Sequence, residues 1–217
     1  MRNNHQLALT ALVLILALTA LRMWFITTIN LAEDEAYWWV CSQHLALSYY
    51  DHPPMASYLI ALAVKLGGHS EIWVRLPAVI LGGLTSWIVF LISCRFWPNH
   101  PVSLIPLVLL NLIPLFAVGA VIITPDTPLA FCWVLCLYLL IRIFQFTANN
   151  EIPAAQKIWY FAGVGFGLGL LSKYMMILLV PCVGLVLLVD PHLRRWWREK
   201  ELYLAVIIGL LIFLPVV

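Results

Sequence analysis

Long apolar runs separated by short polar breaks dominate the chain. The first covers residues 7–29, after the polar start Met1-Arg2-Asn3-Asn4-His5. A membrane-crossing helix needs about 20 predominantly apolar residues, and this run has them. It exceeds the core of a signal peptide, and Ala20-Leu21-Arg22 makes a poor cleavage site, so the run reads as a retained first span. Residues 30–54 form the longest polar stretch, within which a short helix is expected over residues 34–48. A shorter apolar run follows at 55–66. Full-length runs resume at 72–97, 102–123 and 129–146, with tight turns at Pro98-Asn99-His100-Pro101 and Thr124-Pro125-Asp126-Thr127-Pro128. Pro106 and Pro114 interrupt the 102–123 run. Residues 147–157 read as a polar linker. The run at 158–189 is too long for one untilted span and is split by Ser172-Lys173 into a hairpin of two short spans. A charged loop, 190–201, leads into a last span at 202–217.

Composition sharpens this picture. Hydrophobic residues make up 64% of the 217 positions and charged residues 10%, against about 25% charged in ordinary soluble domains. A soluble globular domain, a disordered chain and a disulfide-stapled secreted module are excluded. The net charge of +2 and the lack of a basic tract argue against nucleic acid as a partner. The expected fold is all-α: a polytopic transmembrane bundle of about seven spans with two juxtamembrane helices, treated as one domain over 1–217. Basic residues orient it. Arg194, Arg195, Arg198 and Lys200 place loop 190–201 on the cytoplasmic side, together with the N-terminus. Loop 30–54 has no Lys or Arg and falls outside, provided that residues 55–66 lie along the outer interface rather than span. Six acidic residues (Glu33, Asp34, Glu35, Asp51, Glu71 and Asp126) then share the outer side, which marks an outer catalytic region over 30–70.

The candidate chemistry lies in these few polar groups, since ionisable residues near a bilayer are costly and usually functional. Glu33-Asp34-Glu35 opens the expected short helix, where capping and the helix dipole favour carboxylates. Asp34 is therefore either a base or a simple cap. In Tyr49-Tyr50-Asp51-His52-Pro53-Pro54, Asp51 is placed to orient His52, which can then donate to an anion; a surface turn is the plain alternative. Lys173 is a charge inside an apolar stretch. Arg75 opens a span and suits either a phosphate clamp or a helix anchor. Asp126 lies at a helix start, where N-capping is the plain reading. Among the five cysteines, Cys132 and Cys136 share one helix face and read as packing. The histidines show no metal-ligand spacing. Gly163, Gly165, Gly167 and Gly169 contain two Gly-x-x-x-Gly pairs, a sign of close helix packing in membranes and not a dinucleotide fingerprint.

Asp34-Glu35 after a first span, Tyr49-Tyr50-Asp51-His52-Pro53-Pro54, Arg75-Leu76-Pro77, Thr124-Pro125-Asp126-Thr127-Pro128-Leu129 and Ser172-Lys173-Tyr174 occur in that order. In this the chain resembles the membrane-embedded GT-C glycosyltransferases of family 39. It is most similar to their bacterial branch, which includes lipopolysaccharide-modifying galacturonosyl and aminoarabinose transferases; protein O-mannosyltransferases are more distant. The resemblance implies transfer of a sugar from a polyprenyl phosphate to a hydroxyl or amine of a glycan, lipid or protein acceptor, outside the cytoplasm of a bacterial inner membrane. It implies inversion at the anomeric carbon. Asp34 matches the family's acidic residue in the first outer loop, with Glu35 beside it as a second catalytic carboxylate. His52 stands where aminoarabinose transferases carry a lysine. With Lys173 and Arg75 it is expected to bind the donor phosphate, while Tyr50, Asp51, Asp126 and Tyr174 support the site. No cofactor or nucleotide-sugar site is expected, and no visible ligand set requires a metal. Family members are usually longer, so an N-terminal fragment is expected. The competing readings are a lipid-linked-sugar transporter, whose charges belong near the bilayer midplane, and a non-catalytic membrane scaffold.

Overall fold

The computed structural model describes residues 4–216. Every regular element among the described residues is a helix, and the contacts divide into two compact units. One comprises residues 1–46 and 54–131, the other residues 47–53 and 132–217.

The first unit opens with α1 (Asn4–Phe25), followed by α2 (Glu33–Gln43), α3 (Met55–Gly67) and α4 (Glu71–Phe96). A 3-10 turn at Pro101–Leu104 leads into α5 (Ile105–Leu112) and α6 (Pro114–Gly119). Helix α1 buries Leu7, Ala11 and Ile15, one residue per turn, against Phe90 of α4 and Leu107 of α5. Its other face exposes Leu9, Leu12, Val13 and Leu16. Apolar residues on both faces characterise a helix whose outer solvent is lipid. Among the described residues, three helices are long and apolar enough to cross a membrane: His5–Phe25, Glu71–Phe96 and α7 (Asp126–Ala148). The segment at 102–123, expected as one span, is instead broken into the 3-10 turn, α5 and α6. Pro106 and Pro114 each lack an amide hydrogen and sit at the start of a helical piece, where that hydrogen is not needed.

Helix α7 begins in the first unit and continues into the second, where it is followed by α8 (Ile152–Leu170), a 3-10 turn at Tyr174–Leu178, α9 (Leu179–Val189), a 3-10 turn at Arg194–Arg198 and α10 (Lys200–Phe213). The break expected at Ser172-Lys173 is present, between α8 and the 3-10 turn at Tyr174–Leu178, while α9 packs on the 3-10 turns at its ends rather than along α8. The expected linker at 147–157 is mostly helix. Only a short turn separates α7 from α8, and Asn150 closes it with a left-handed φ of 60° that asparagine tolerates.

The two glycine pairs of α8 serve different partners. A Cβ on Gly163 would lie 2.5 Å from the Ala205 carbonyl oxygen, and one on Gly167 2.9 Å from that of Gly209, so this pair lets α10 approach backbone to backbone. Gly165 instead faces the Cys136 sulfur of α7, and Gly169 faces Met176. Gly163→Leu is expected to lower stability by about 1–3 kcal/mol, the usual cost of overpacking. Gly184→Ala, with no contact closer than 3.8 Å, is expected to be neutral. Thermal unfolding in detergent checks both, and equal melting temperatures for Gly163→Leu and wild type would contradict the packing.

Candidate functional site

Helix α2 turns the Glu33-Asp34-Glu35 triplet in opposite directions. Ala32 is its N-cap, so Glu33, Asp34 and Glu35 take the first three helical positions. The third position faces the same side as Trp38 and Ser42, three and seven residues on, and all three are buried. Glu35 is 0% exposed. Its Oε2 accepts a 3.0 Å hydrogen bond from the Ala32 amide, the reach-back half of a capping box. Asp34, one position earlier, points outward. It is exposed and has no hydrogen-bond partner among the described residues. The helix ends at Gln43, with His44 as its C-cap, shorter than the expected 34–48.

Across the first unit Glu35 meets Arg75 of α4. The Arg75 guanidinium is also 0% exposed, and its Nη2 lies 2.6 Å from Glu35 Oε2. Its Nε donates to both carboxylate oxygens, at 2.8 and 3.0 Å. Nη1 donates to the Ile29 carbonyl and Nη2 to the Asn30 carbonyl, each at 2.7 Å. Glu35 Oε1 further accepts the Ile123 amide at 3.3 Å. One side-chain pair thus ties together the end of the first apolar run, the start of α2, α4 and the strand of chain leading to Asp126. A bidentate, fully hydrogen-bonded pair is the form in which a buried ion pair is tolerated.

This geometry changes two expectations. Arg75 spends its donors on Glu35 and two carbonyls, so it does not present a phosphate clamp. Glu35 is enclosed and accepts four hydrogen-bond donors, so it does not stand beside Asp34 as a second free carboxylate. Both become positioning residues for the loop that carries Asp34. Asp126 opens α7 and is exposed. Beside it the Thr127 hydroxyl is buried. It donates to the Gly119 carbonyl at 3.0 Å and accepts from the Thr124 amide at 3.4 Å, which fixes the Thr124–Thr127 turn.

In the second unit Lys173 is half-buried, between α8 and the 3-10 turn. Its backbone is extended (φ −158°), and its amide is held by the Gly169 carbonyl at 3.0 Å. Ser172 is buried, with its hydroxyl on the Leu168 carbonyl at 3.0 Å. Tyr174 is exposed and edge-on to Phe213, 5.9 Å between centroids. His52 is half-buried in a turn closed by the Tyr49 amide donating to the His52 carbonyl at 3.3 Å. Asp51 is exposed and has no hydrogen-bond partner among the described residues, so it does not orient His52. Tyr50 is 99% exposed.

Two cations were missed by sequence reading. Arg22 in the last turn of α1 is buried. Its Nη2 donates to Asn111 Oδ1 at 2.6 Å, and its guanidinium lies 5.9 Å from the Phe116 ring centre. Arg142 of α7 lies 4.8 Å from the centre of Phe146. The signal for both was present in the sequence: a lone arginine inside an apolar run.

The profile of the dolichyl-phosphate-mannose-protein mannosyltransferase family matches residues 51–217. A lipid A galacturonosyltransferase, RgtD, of Rhizobium johnstonii is 27% identical over 190 residues, 84% of this chain and 37% of that protein. An undecaprenyl phosphate-α-4-amino-4-deoxy-L-arabinose arabinosyl transferase of Pseudomonas paraeruginosa is 29% identical over 181 residues, 82% of this chain and 32% of that protein. The chain therefore spans about a third of the length of these curated relatives. Among solved structures, apo ArnT from Cupriavidus metallidurans shares the fold, with a TM-score of 0.75 at 21% identity over 94% of this chain and 40% of that one.

Removing either partner of the Glu35–Arg75 pair leaves the other charge buried, at a cost of about 3–5 kcal/mol. Glu35→Ala and Arg75→Ala are each expected to show this loss, and the double variant is expected to lose far less than their sum. A double-mutant cycle on thermal stability in detergent measures the coupling, and additive losses would contradict the pairing.

Proposed function

Because the chain belongs to the dolichyl-phosphate-mannose-protein mannosyltransferase family, we propose that it is part of a glycosyltransferase that takes its sugar from a polyprenyl phosphate. In this reading the acceptor is a hydroxyl or amine of a lipid, a glycan or a protein. The reaction takes place on the non-cytoplasmic face of a bacterial inner membrane. The observation that most supports this reading is the exposed Asp34 carboxylate on a helix anchored by the buried Glu35–Arg75 pair. A catalytic group needs such a fixed mount, because a misplacement of about 1 Å can cost a hundredfold in rate.

The chemistry follows from the groups present. The acceptor oxygen or nitrogen attacks the anomeric carbon as the bond from that carbon to the phosphate oxygen breaks. Asp34 takes the proton that the acceptor loses, a general-base role. The products are the glycosylated acceptor and a polyprenyl phosphate. Negative charge grows on the departing phosphate, and a cation placed there lowers the barrier. Lys173 supplies that cation, with His52 as a second donor when protonated. A single displacement inverts the anomeric centre. Asp126 and Tyr174, both exposed, contribute to the surroundings of the substrates. Glu35 and Arg75 act only through the loop that they hold.

The test is transfer of radiolabelled sugar from polyprenyl-phosphate donors in membranes that contain the protein. Wild type is expected to transfer above membranes lacking it. Asp34→Asn is expected to lower the rate by about 100-fold or more, the range for losing a general base, and Lys173→Ala is expected to weaken use of the donor, at unchanged protein level. Equal transfer by all three proteins would make Asp34 a helix residue without chemistry and overturn the assignment.

A further inference from the structure

The second unit contains an apolar cavity of about 350 Å³, with Trp159 and Phe166 of α8, Leu187 of α9, and Leu202 and Val206 of α10 among its walls. That volume lies within the range of ligand cavities, roughly 300–1,000 Å³. Packed protein interiors do not leave such a space. It arises because α8 and α10 draw together through their small residues, whereas α9 packs mainly on the 3-10 turns at its two ends. Trp197, from the turn at Arg194–Arg198, is among the lining residues, and a Cβ on Gly184 of α9 would lie 3.8 Å from its ring. Tyr203, also a lining residue, fixes the turn by donating its hydroxyl to the Trp197 carbonyl at 2.8 Å.

Basic residues follow Trp197 in the chain. Arg198 follows it directly and Lys200 comes two residues later, and both are exposed with no hydrogen bond or ion pair among the described residues. Arg195 is instead paired with Glu199 at 3.2 Å, and Arg194 donates to the Leu188 carbonyl at 2.9 Å. The arrangement is an apolar slot among apolar helices, an aromatic residue in its lining and, next to that residue in the chain, two exposed cations with no partner among the described residues.

We propose that this cavity holds an acyl chain of an anionic glycerophospholipid, whose headgroup phosphate is bound by Arg198 and Lys200. The charge complementarity selects an anionic lipid over a zwitterionic one, because basic residues at a membrane surface attract anionic headgroups by about 1 kcal/mol each. The apolar walls select a chain over a polar ligand. The binding is independent of sugar transfer. It rests only on the reading that α7–α10 lie in a membrane.

Native mass spectrometry of the detergent-purified chain, titrated with phosphatidylglycerol or with phosphatidylcholine, tests the proposal. Wild type is expected to retain one phosphatidylglycerol in preference to phosphatidylcholine. The double variant Arg198→Gln/Lys200→Gln, altered only at exposed positions, is expected to bind phosphatidylglycerol roughly thirty-fold more weakly, the loss of two such attractions. Gly184→Leu, which fills the slot from a helical position with room for a side chain, is expected to abolish retention of either lipid at an unchanged melting temperature. Equal binding of the two lipids by wild type would overturn the headgroup assignment. Undiminished phosphatidylglycerol binding by Gly184→Leu would overturn the chain assignment and leave only surface attraction.

Discussion

The first unit depends on one buried ion pair. A glutamate and an arginine removed from water cost several kcal/mol each unless every donor and lone pair is met. Here Glu35 and Arg75 meet that demand with each other and with four backbone groups, those of Ile29, Asn30, Ala32 and Ile123. The requirement works in reverse as a constraint. Those four backbone groups are held wherever the pair is held, so the end of the first run, the start of α2 and the approach to Asp126 cannot move independently. Hydrophobic burial does not impose such a restriction, because it is non-directional.

The pair also divides the labour within an acidic triplet that looks uniform in sequence. Consecutive helical residues are about 100° apart, so Asp34 and Glu35 cannot share an environment. Glu35 faces inward and supplies structure. Asp34 faces outward and keeps its carboxylate available. The glycosyltransferase reading therefore places chemistry on Asp34 and rigidity on its neighbour.

Much of the architecture was legible beforehand. The apolar runs at 72–97 and 129–146 became α4 and α7, the short run at 55–66 became α3, and Ser172-Lys173 did interrupt the 158–189 run. These follow from run length and from proline and polar interruptions, which are local signals. The breakup of 102–123 into three pieces was signalled by Pro106 and Pro114 and underestimated. The Glu35–Arg75 pair was not legible as a pair, since 40 residues separate its members and nothing local names the partner. Its inward direction had a local signal that went unread: Glu35 lies three residues before Trp38, on one helix face. The family resemblance, in contrast, rested on short motifs whose order survives without any knowledge of packing.

The central claim is that Glu35 binds the start of α2 and the approach to Asp126 into one body through the amides of Ala32 and Ile123. Hydrogen exchange read by mass spectrometry on segments 30–36 and 121–125 tests it most directly. The account predicts slow exchange in both segments of the wild type. In Glu35→Gln both should speed up together, while the α8–α10 contact in the second unit keeps its protection. Independent responses of the two segments, or fast exchange in both already in the wild type, would contradict it.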